Sequence, residues 1–424
     1  MEGSSPGPPR APRRSAVIAW VLYDLANTTF ALGVGSRYFG LWLIEERGGA
    51  DWQLSAATVV AMLAVIVLAP WIGALSDHRG RRMPYLIGST VTCVGATALL
   101  ATGDVVPSLV LYVVGTGAFH VGSVVYDALL PDVSTPASRG MISGVGVAVG
   151  YAGSALAIGI GSYLLPRAGY ASVFRGLALA FLVFALPAFL LIAERPREPR
   201  QGRPPGLLGA PGALITAWRN AAGHRGVVRF LIGRFLYTDA INTVFLFNAA
   251  LARLELGFTN AQTDRLALLG IACAAAGAAF AGKAVDRYGP KAVLLAALGA
   301  QLVGLAAMVS AILTGLHDLG WFVAVGGGAG IGAAWASDRV LMTRLAPDHL
   351  LGEFFGLYAT VGRFATVTGP LAWALVADVL GWGRPAALAS LMLFIIAAGA
   401  VIRRVPEQSS GSARSGVDVT VSAG

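Results

Sequence analysis

A few acids, amides and cations stand where this chain is otherwise almost wholly apolar. Asp24 and Asn27 fall in the run Trp20-Val-Leu-Tyr23-Asp24-Leu-Ala-Asn27-Thr28-Thr29-Phe30. Three apart, they share one helix face. His120, Tyr126 and Asp127 lie in a second run, Tyr237, Asp239 and Asn242 in a third, Arg339 in a fourth and Arg363 in a fifth. At the centre of a bilayer an ionised side chain costs about 2.5–3.5 kcal/mol on insertion scales. Such a group faces either a partner on another helix or a watery cavity. A carboxylate in a cavity can hold a proton or a sodium ion, because an occupying cation offsets the cost of burying the charge. A guanidinium keeps its charge, so Arg363 must find a carboxylate of the protein or of a bound solute. Plainer roles compete. Asp24 and Asn27 can simply bond between helices, His120 can be a satisfied core residue, and Asp127 can form an ion pair at a helix end. Arg339 can pair with Asp338, and Arg234 with Asp239.

The elements that must position these groups follow from composition. The chain has 424 residues, 56% of them hydrophobic and 12% charged. Soluble domains carry about 25% charged residues, so a bilayer is the expected solvent. A span needs about 20 apolar residues. Twelve runs qualify, at 16–44, 54–76, 83–102, 106–130, 141–165, 170–193, 226–252, 262–282, 290–314, 319–343, 352–377 and 383–402. The net charge of +9 reports topology rather than nucleic acid. With Arg229 and Lys291 at span edges counted in, the tails and even-numbered loops hold 21 of the 31 Lys and Arg residues. That asymmetry puts both termini in the cytoplasm. Cys93 and Cys273 lie inside apolar runs and read as packing residues. Residues 1–15 and 403–424 read as disordered cytoplasmic tails. The Arg- and Pro-rich segment 194–225 reads as a cytoplasmic linker, with an amphipathic piece around Ile215–Trp218 that can lie on anionic lipid.

The two halves on either side of that linker repeat one another. Asp-x-x-Asn-Thr occurs at 24–28 and again at 239–243, and Pro-Asp at 131–132 and 347–348. A basic turn, Gly73-Ala-Leu-Ser-Asp77-His-Arg79-Gly80-Arg81-Arg82-Met-Pro84-Tyr85, has a weaker counterpart at Gly282-Lys-Ala-Val-Asp286-Arg-Tyr-Gly-Pro-Lys291. Ordered matches at near-constant offset indicate an internal repeat. Gly73 and Gly282 suit the close approach of two helices. Asp77 sits where an opposing helix N-terminus can hold it, and Asp286 is its counterpart in the weaker copy. Asp132 is expected to pair with Arg81 and latch the loop.

The pattern G-x-L-x-D-x-x-G-R-R at 73–82 resembles the signature loop of the major facilitator superfamily. Tyr23-Asp24-Leu-Ala-Asn27, Tyr126-Asp127-Ala-Leu-Leu-Pro131-Asp132, Ser143-Gly144-Val-Gly146 and Gly352-Glu-Phe-Phe-Gly356 with Arg363 and Gly369-Pro370 resemble the vacuole-effluxer (autophagy-related permease) family and its bacterial relatives. The chain departs from that family at Asp127, where Asn is usual, and at Arg363, where Lys is frequent. The resemblance implies an all-α membrane protein, with twelve transmembrane helices in two pseudo-symmetric six-helix bundles at 16–193 and 226–402. It also implies a central cavity lined by the first, fourth, seventh and tenth helices, opened to each side in turn.

The function expected is secondary active transport of a small, amino-acid-like or other organic solute, driven by a proton or sodium ion. The substrate- and ion-binding set expected is Asp24, Asn27, Tyr126, Asp127, Tyr237, Asp239, Asn242, Arg339 and Arg363. The gating set is Gly73, Asp77, Arg81, Asp132, Gly282 and Asp286. A multidrug or lipid-like exporter of the same fold, or a non-transporting receptor, is the alternative. No H-E-x-x-H, G-x-S-x-G or paired-Cys metal motif is present, so an enzyme is not expected. Neither a cofactor nor a nucleic-acid partner is expected. The chain is expected to act as a monomer in the inner (plasma) membrane.

Overall fold

The computed structural model describes residues 13–195, 206, 209–366 and 368–406. Residues 1–12 and 407–424 of the expected tails and part of the 194–225 linker lie outside the described residues, while Arg14, Ser15 and Arg403, expected in disordered tails, belong to the first and last helices. Among the described residues every element is helical. In order they are α1 (Arg14–Glu46), α2 (Asp51–Arg79), α3 (Met83–Ala98) and α4 (Val105–Ala128). The stretch Arg139–Leu191 breaks at Gly169, where φ is 71°, into α5 (139–168) and α6 (170–191). The linker supplies α7 (Ala210–Ala222), followed by α8 (Arg225–Ala250), α9 (Asn260–Tyr288), α10 (Pro290–Thr314) and α11 (His317–Leu345). Then come α12 (Leu351–Phe364), α13 (Thr368–Ala374) and α14 (Gly383–Arg403).

Lipid offers no hydrogen bonds, so long apolar runs satisfy their backbone internally as helices. Polar and imino residues set the ends. Pro84 and Pro290 stand in the first turns of α3 and α10, where a missing N–H costs nothing. Thr259 and Gln262 cap α9 reciprocally. Gly80 closes α2 with φ 65°.

Nine helical stretches among the described residues are long and apolar enough to cross a membrane. Helices stand at each of the twelve expected runs, but not all of them meet both criteria. The stretch Arg139–Leu191 holds two of the runs. The expected third falls on α3, only 16 residues long, and the expected eleventh is interrupted between α12 and α13.

Two apolar cores are present. One is built mainly from residues between Ala16 and Ile192, the other mainly from residues between Ala217 and Val405. They exchange a few members where the halves meet. Ala278, Ala281 and Val285 join the first core, and Val65 and Ala69 the second. The junctions are α5 against α9 and α2 against α12. Both depend on missing side chains. A Cβ on Gly73 would stand 2.6 Å from the carbonyl carbon of Gly352, and one on Gly144 2.7 Å from the Cα of Gly282. The contacts lie near the end of the molecule that carries the two basic turns. Towards the other end, α1 contains a widened, π-type stretch at Ala31–Tyr38, α11 contains another at Val323–Gly327, and α8 and α13 continue into similar stretches at Leu251–Glu255 and Leu375–Val379. Such turns often mark functional positions in helices.

Candidate functional site

Two acids lock the basic-turn end, each through the first turn of a helix from the other half. Asp77 Oδ2 accepts from the Glu353 N–H at 2.9 Å, at the start of α12. Asp286 accepts from the Gly140 and Met141 N–H groups at 2.7 and 2.8 Å, at the start of α5. The free N–H groups and the dipole of a helix N-terminus both favour an anion there. Asp77 also accepts from Arg82 Nη2 at 2.9 Å. Arg82 donates to the Ala128 carbonyl at 2.7 Å and lies 3.9 Å from Asp132. The expected Arg81–Asp132 latch is therefore corrected. Arg81 is exposed, and its neighbour Arg82 is fully buried. The turn at Gly80 decides which of the two adjacent arginines points inward, and the spacing of charges in the sequence does not reveal it.

Further into the bundle, a cavity of about 400 Å³ lies between the halves. It is lined by Asp24 and Asn27 of α1, His120, Tyr126 and Asp127 of α4, Arg234 and Asn242 of α8, Arg339 of α11 and Arg363 of α12, among others. The structure brings Asp24, Asn27, Tyr126, Asp127, Asn242, Arg339 and Arg363 together there. Tyr237 and Asp239 are not in its lining. Asp239 is buried and accepts from the Thr368 hydroxyl. Although Asp239 repeats Asp24 in the sequence pattern, it meets α13 and does not line the cavity.

Arg339 organises one part of the wall. Its guanidinium lies 3.1 Å from Asp24 and 3.3 Å from Asp127. It sits 5.3 Å from the centroid of the Trp20 ring. Trp20 stacks on Tyr126 at 4.6 Å. The two are also tied reciprocally, Trp20 Nε1–H to the Tyr126 carbonyl at 3.3 Å and the Tyr126 hydroxyl to the Trp20 carbonyl at 3.1 Å. Two carboxylates thus share one cation, leaving a surplus negative charge when all three are ionised.

Arg234 is fully engaged. It pairs with Asp338, whose Oδ2 also accepts from the Tyr237 hydroxyl at 2.9 Å. Its guanidinium lies 3.3 Å from the centroid of the Tyr358 ring. Asp338 therefore belongs to Arg234 and not to its sequence neighbour Arg339, and Arg234 does not pair with Asp239.

Arg363 differs from both. Its Nη2 donates to His120 Nδ1 at 2.7 Å. Among the described residues it forms no ion pair with a carboxylate, and its Nε–H is buried without an acceptor. Asn27 Oδ1 is likewise buried without a donor. One wall of the cavity thus holds an incompletely satisfied cation and another a surplus acid, with an idle acceptor among the lining groups. Sequence reasoning weighed His120 without placing it in the site, and it did not find the Arg234–Asp338 pair. Both pairs join helices remote in sequence and carry no local signature.

The family model of the Major Facilitator Superfamily matches residues 25–362 and 230–422. An uncharacterized MFS-type transporter of Bacillus subtilis, YxiO, is 25% identical over 421 residues, covering 92% of this chain and 95% of its own. Autophagy-related protein 22 of Kluyveromyces lactis is 23% identical over 380 residues, covering 80% of this chain and 76% of its own. Among solved structures, the human organic anion transporter MFSD10 superposes with a TM-score of 0.72 at 17% identity, covering 93% of this chain and all of that one. The proton:xylose symporter XylE gives 0.70 at 14% identity, covering 93% and 96%. At such identities the solved structures speak for the fold alone; with the family match across most of the sequence, they make this chain a multi-pass membrane transporter, not an enzyme, and a member of the Major Facilitator Superfamily.

Proposed function

We propose that this protein is a secondary active transporter that carries a small zwitterionic, amino-acid-like solute by alternating access, coupled to a proton or a sodium ion. The observation that carries the reading is the division of charge in the cavity. Among the described residues Arg363 has no acidic partner, while Asp24 and Asp127 share Arg339. A solute carboxylate would complete Arg363 with charge-assisted hydrogen bonds. A solute ammonium would meet the surplus acid and Asn27 Oδ1. The coupling cation would occupy Asp24 or Asp127. Such a site fits a solute with both charges better than a neutral sugar or an apolar drug.

The conformation fits an outward-facing resting state. Asp77 and Asp286 hold the basic-turn end shut through opposed helix N-termini. On this reading the basic loops, that end and both termini would lie on the cytoplasmic side of the inner membrane, as the excess of Lys and Arg there favours. Two six-helix bundles, 16–193 and 226–402, would rock about the cavity as one monomer in the bilayer, with no bound cofactor.

An organic monocarboxylate is the second reading, favoured by Arg363 alone and by likeness to a protein described as an organic anion transporter. The two readings separate in proteoliposome uptake of labelled amino acids and of monocarboxylates, with and without sodium and a pH gradient. The zwitterion reading expects uptake of the amino acids, lost in both Arg363→Ala and Asp24→Asn. Uptake of monocarboxylates alone, insensitive to Asp24→Asn, would replace it with the second.

A further inference from the structure

The linker helix α7 touches both halves at the closed end. It packs against α2 and α12 and runs into α8 through His224. Its docking face is a stripe of small side chains, Ala210, Ala213, Ala217 and Ala221, all buried. At 3.6 residues per turn these four share one side. Asn220 lies at the edge of that face, and its Nδ2–H donates to Glu353 Oε1 at 2.6 Å. Glu353 is the residue whose backbone N–H is held by Asp77. The linker helix is thus fastened to the same residue that closes the gate. His224 reinforces the junction, with Nδ1 2.9 Å from the Asn220 carbonyl and its ring edge-on to Phe354 at 5.5 Å.

The remaining surface of α7 divides into two flanks. Ile215 and Trp218, three apart, are 55% and 40% exposed on one flank. Thr216 and Asn220 lie towards the other, with Arg219 between the flanks on the side facing away from the bundle. Arg219 and Arg225 are both exposed. A Trp and an Ile beside arginines, on a helix at the end of a membrane bundle, match the interfacial zone of a bilayer with anionic headgroups.

We infer that α7 is a strap docked on the anionic membrane surface that holds the basic-turn end closed. Opening that end draws the start of α12 away from Asp77 and α2, so α7 cannot keep its seat on α2 and its bond to Glu353 together. Lipid contact through Ile215, Trp218, Arg219 and Arg225 fixes α7 in the straddling position. Anionic lipid therefore biases the transporter towards the closed cytoplasmic end. The inference rests on alternating access at this gate, but not on the identity of the solute.

The test uses the full chain with Cys93→Ser and Cys273→Ser, spin-labelled at Arg79→Cys and His349→Cys, exposed positions on opposite halves at the closed end. Distance distributions are recorded by pulsed electron resonance in nanodiscs of phosphatidylcholine and of phosphatidylglycerol. The ratio of short to long distances is expected to be at least three-fold higher in phosphatidylglycerol. Ile215→Gln with Trp218→Gln is expected to remove that difference. Asn220→Ala is expected to lower the ratio in both lipids. Equal ratios in the two lipids, or an unchanged ratio in Asn220→Ala, would overturn the inference. Asp77→Asn breaks the gate directly, so a shift there alone shows that the strap fails while the gate stands.

Discussion

Arg339 and Asp24 are 315 positions apart, one in each half of the chain, and meet at 3.1 Å. Asp127 completes the trio from α4 at 3.3 Å. One cation thereby fastens the two halves and leaves an acid surplus beside the cavity. Such a contact can hold the halves together in one state and yield to a proton, a sodium ion or a solute ammonium in another.

The trio sets an order of stabilities. Removing one member of a buried ion pair costs about 3–5 kcal/mol, because the partner's charge is left uncompensated. Arg339→Gln strands two acids, so its melting temperature in detergent is expected to fall well below that of Asp24→Asn or Asp127→Asn, each of which leaves a pair intact. Adding Asp24→Asn and Asp127→Asn to Arg339→Gln is expected to restore much of the loss. Equal melting temperatures for all three single variants would mean that the charges are not coupled.

Arg234 and Arg363 separate structure from transport. Asp338→Asn breaks the buried pair with Arg234 and is expected to lower stability by about 3–5 kcal/mol. Arg363→Gln removes a charge that no acid among the described residues answers, so thermal stability is expected to change much less while uptake disappears. Chemical denaturation alongside liposome uptake checks both. Normal uptake in Arg363→Gln would take that residue out of the solute site.

The glycine contact at the closed end leaves no room. Gly73→Val would drive a side chain into the backbone at Gly352 and Glu353. Overpacking costs about 1–3 kcal/mol, and separating α2 from α12 relieves it. Greater labelling of Arg82→Cys by a membrane-impermeant thiol reagent is expected when Gly73→Val is added. Labelling unchanged by Gly73→Val would show that the junction does not open there.

Asp77 and Asp286 act as a pair of locks. Asp286→Asn weakens two hydrogen bonds from the start of α5, and Asp77→Asn weakens the bonds from Glu353 and Arg82. Each substitution is expected to raise thiol accessibility at the basic-turn end by several-fold, and the double variant to exceed either. An effect from only one site would mean that the two locks do not share the load.

Much of this was legible in the residues. Helices follow from apolar run length, and the repeated Asp-x-x-Asn-Thr and paired basic turns announced the duplication. Asp77 stands at an opposed helix N-terminus, as expected, whereas the matching role of Asp286 at the start of α5 came from the structure. Pairing was not legible. Whether Arg339 meets Asp338 or Asp24 depends on helix rotation, which a period of 3.6 cannot fix for a single charge. The same holds for Arg81 against Arg82. Asp239 shows the limit of the repeat. Thr368 binds it from α13, so the equivalent of a cavity acid became a joint between helices.

Uptake by proteoliposomes carrying wild-type protein or Arg363→Ala tests the central claim most directly. A panel of labelled zwitterionic amino acids is offered under an imposed proton or sodium gradient. Wild-type protein is expected to accumulate at least one member against its gradient, and a folded Arg363→Ala variant to accumulate none. Equal accumulation by the two proteins would contradict a solute site built on Arg363.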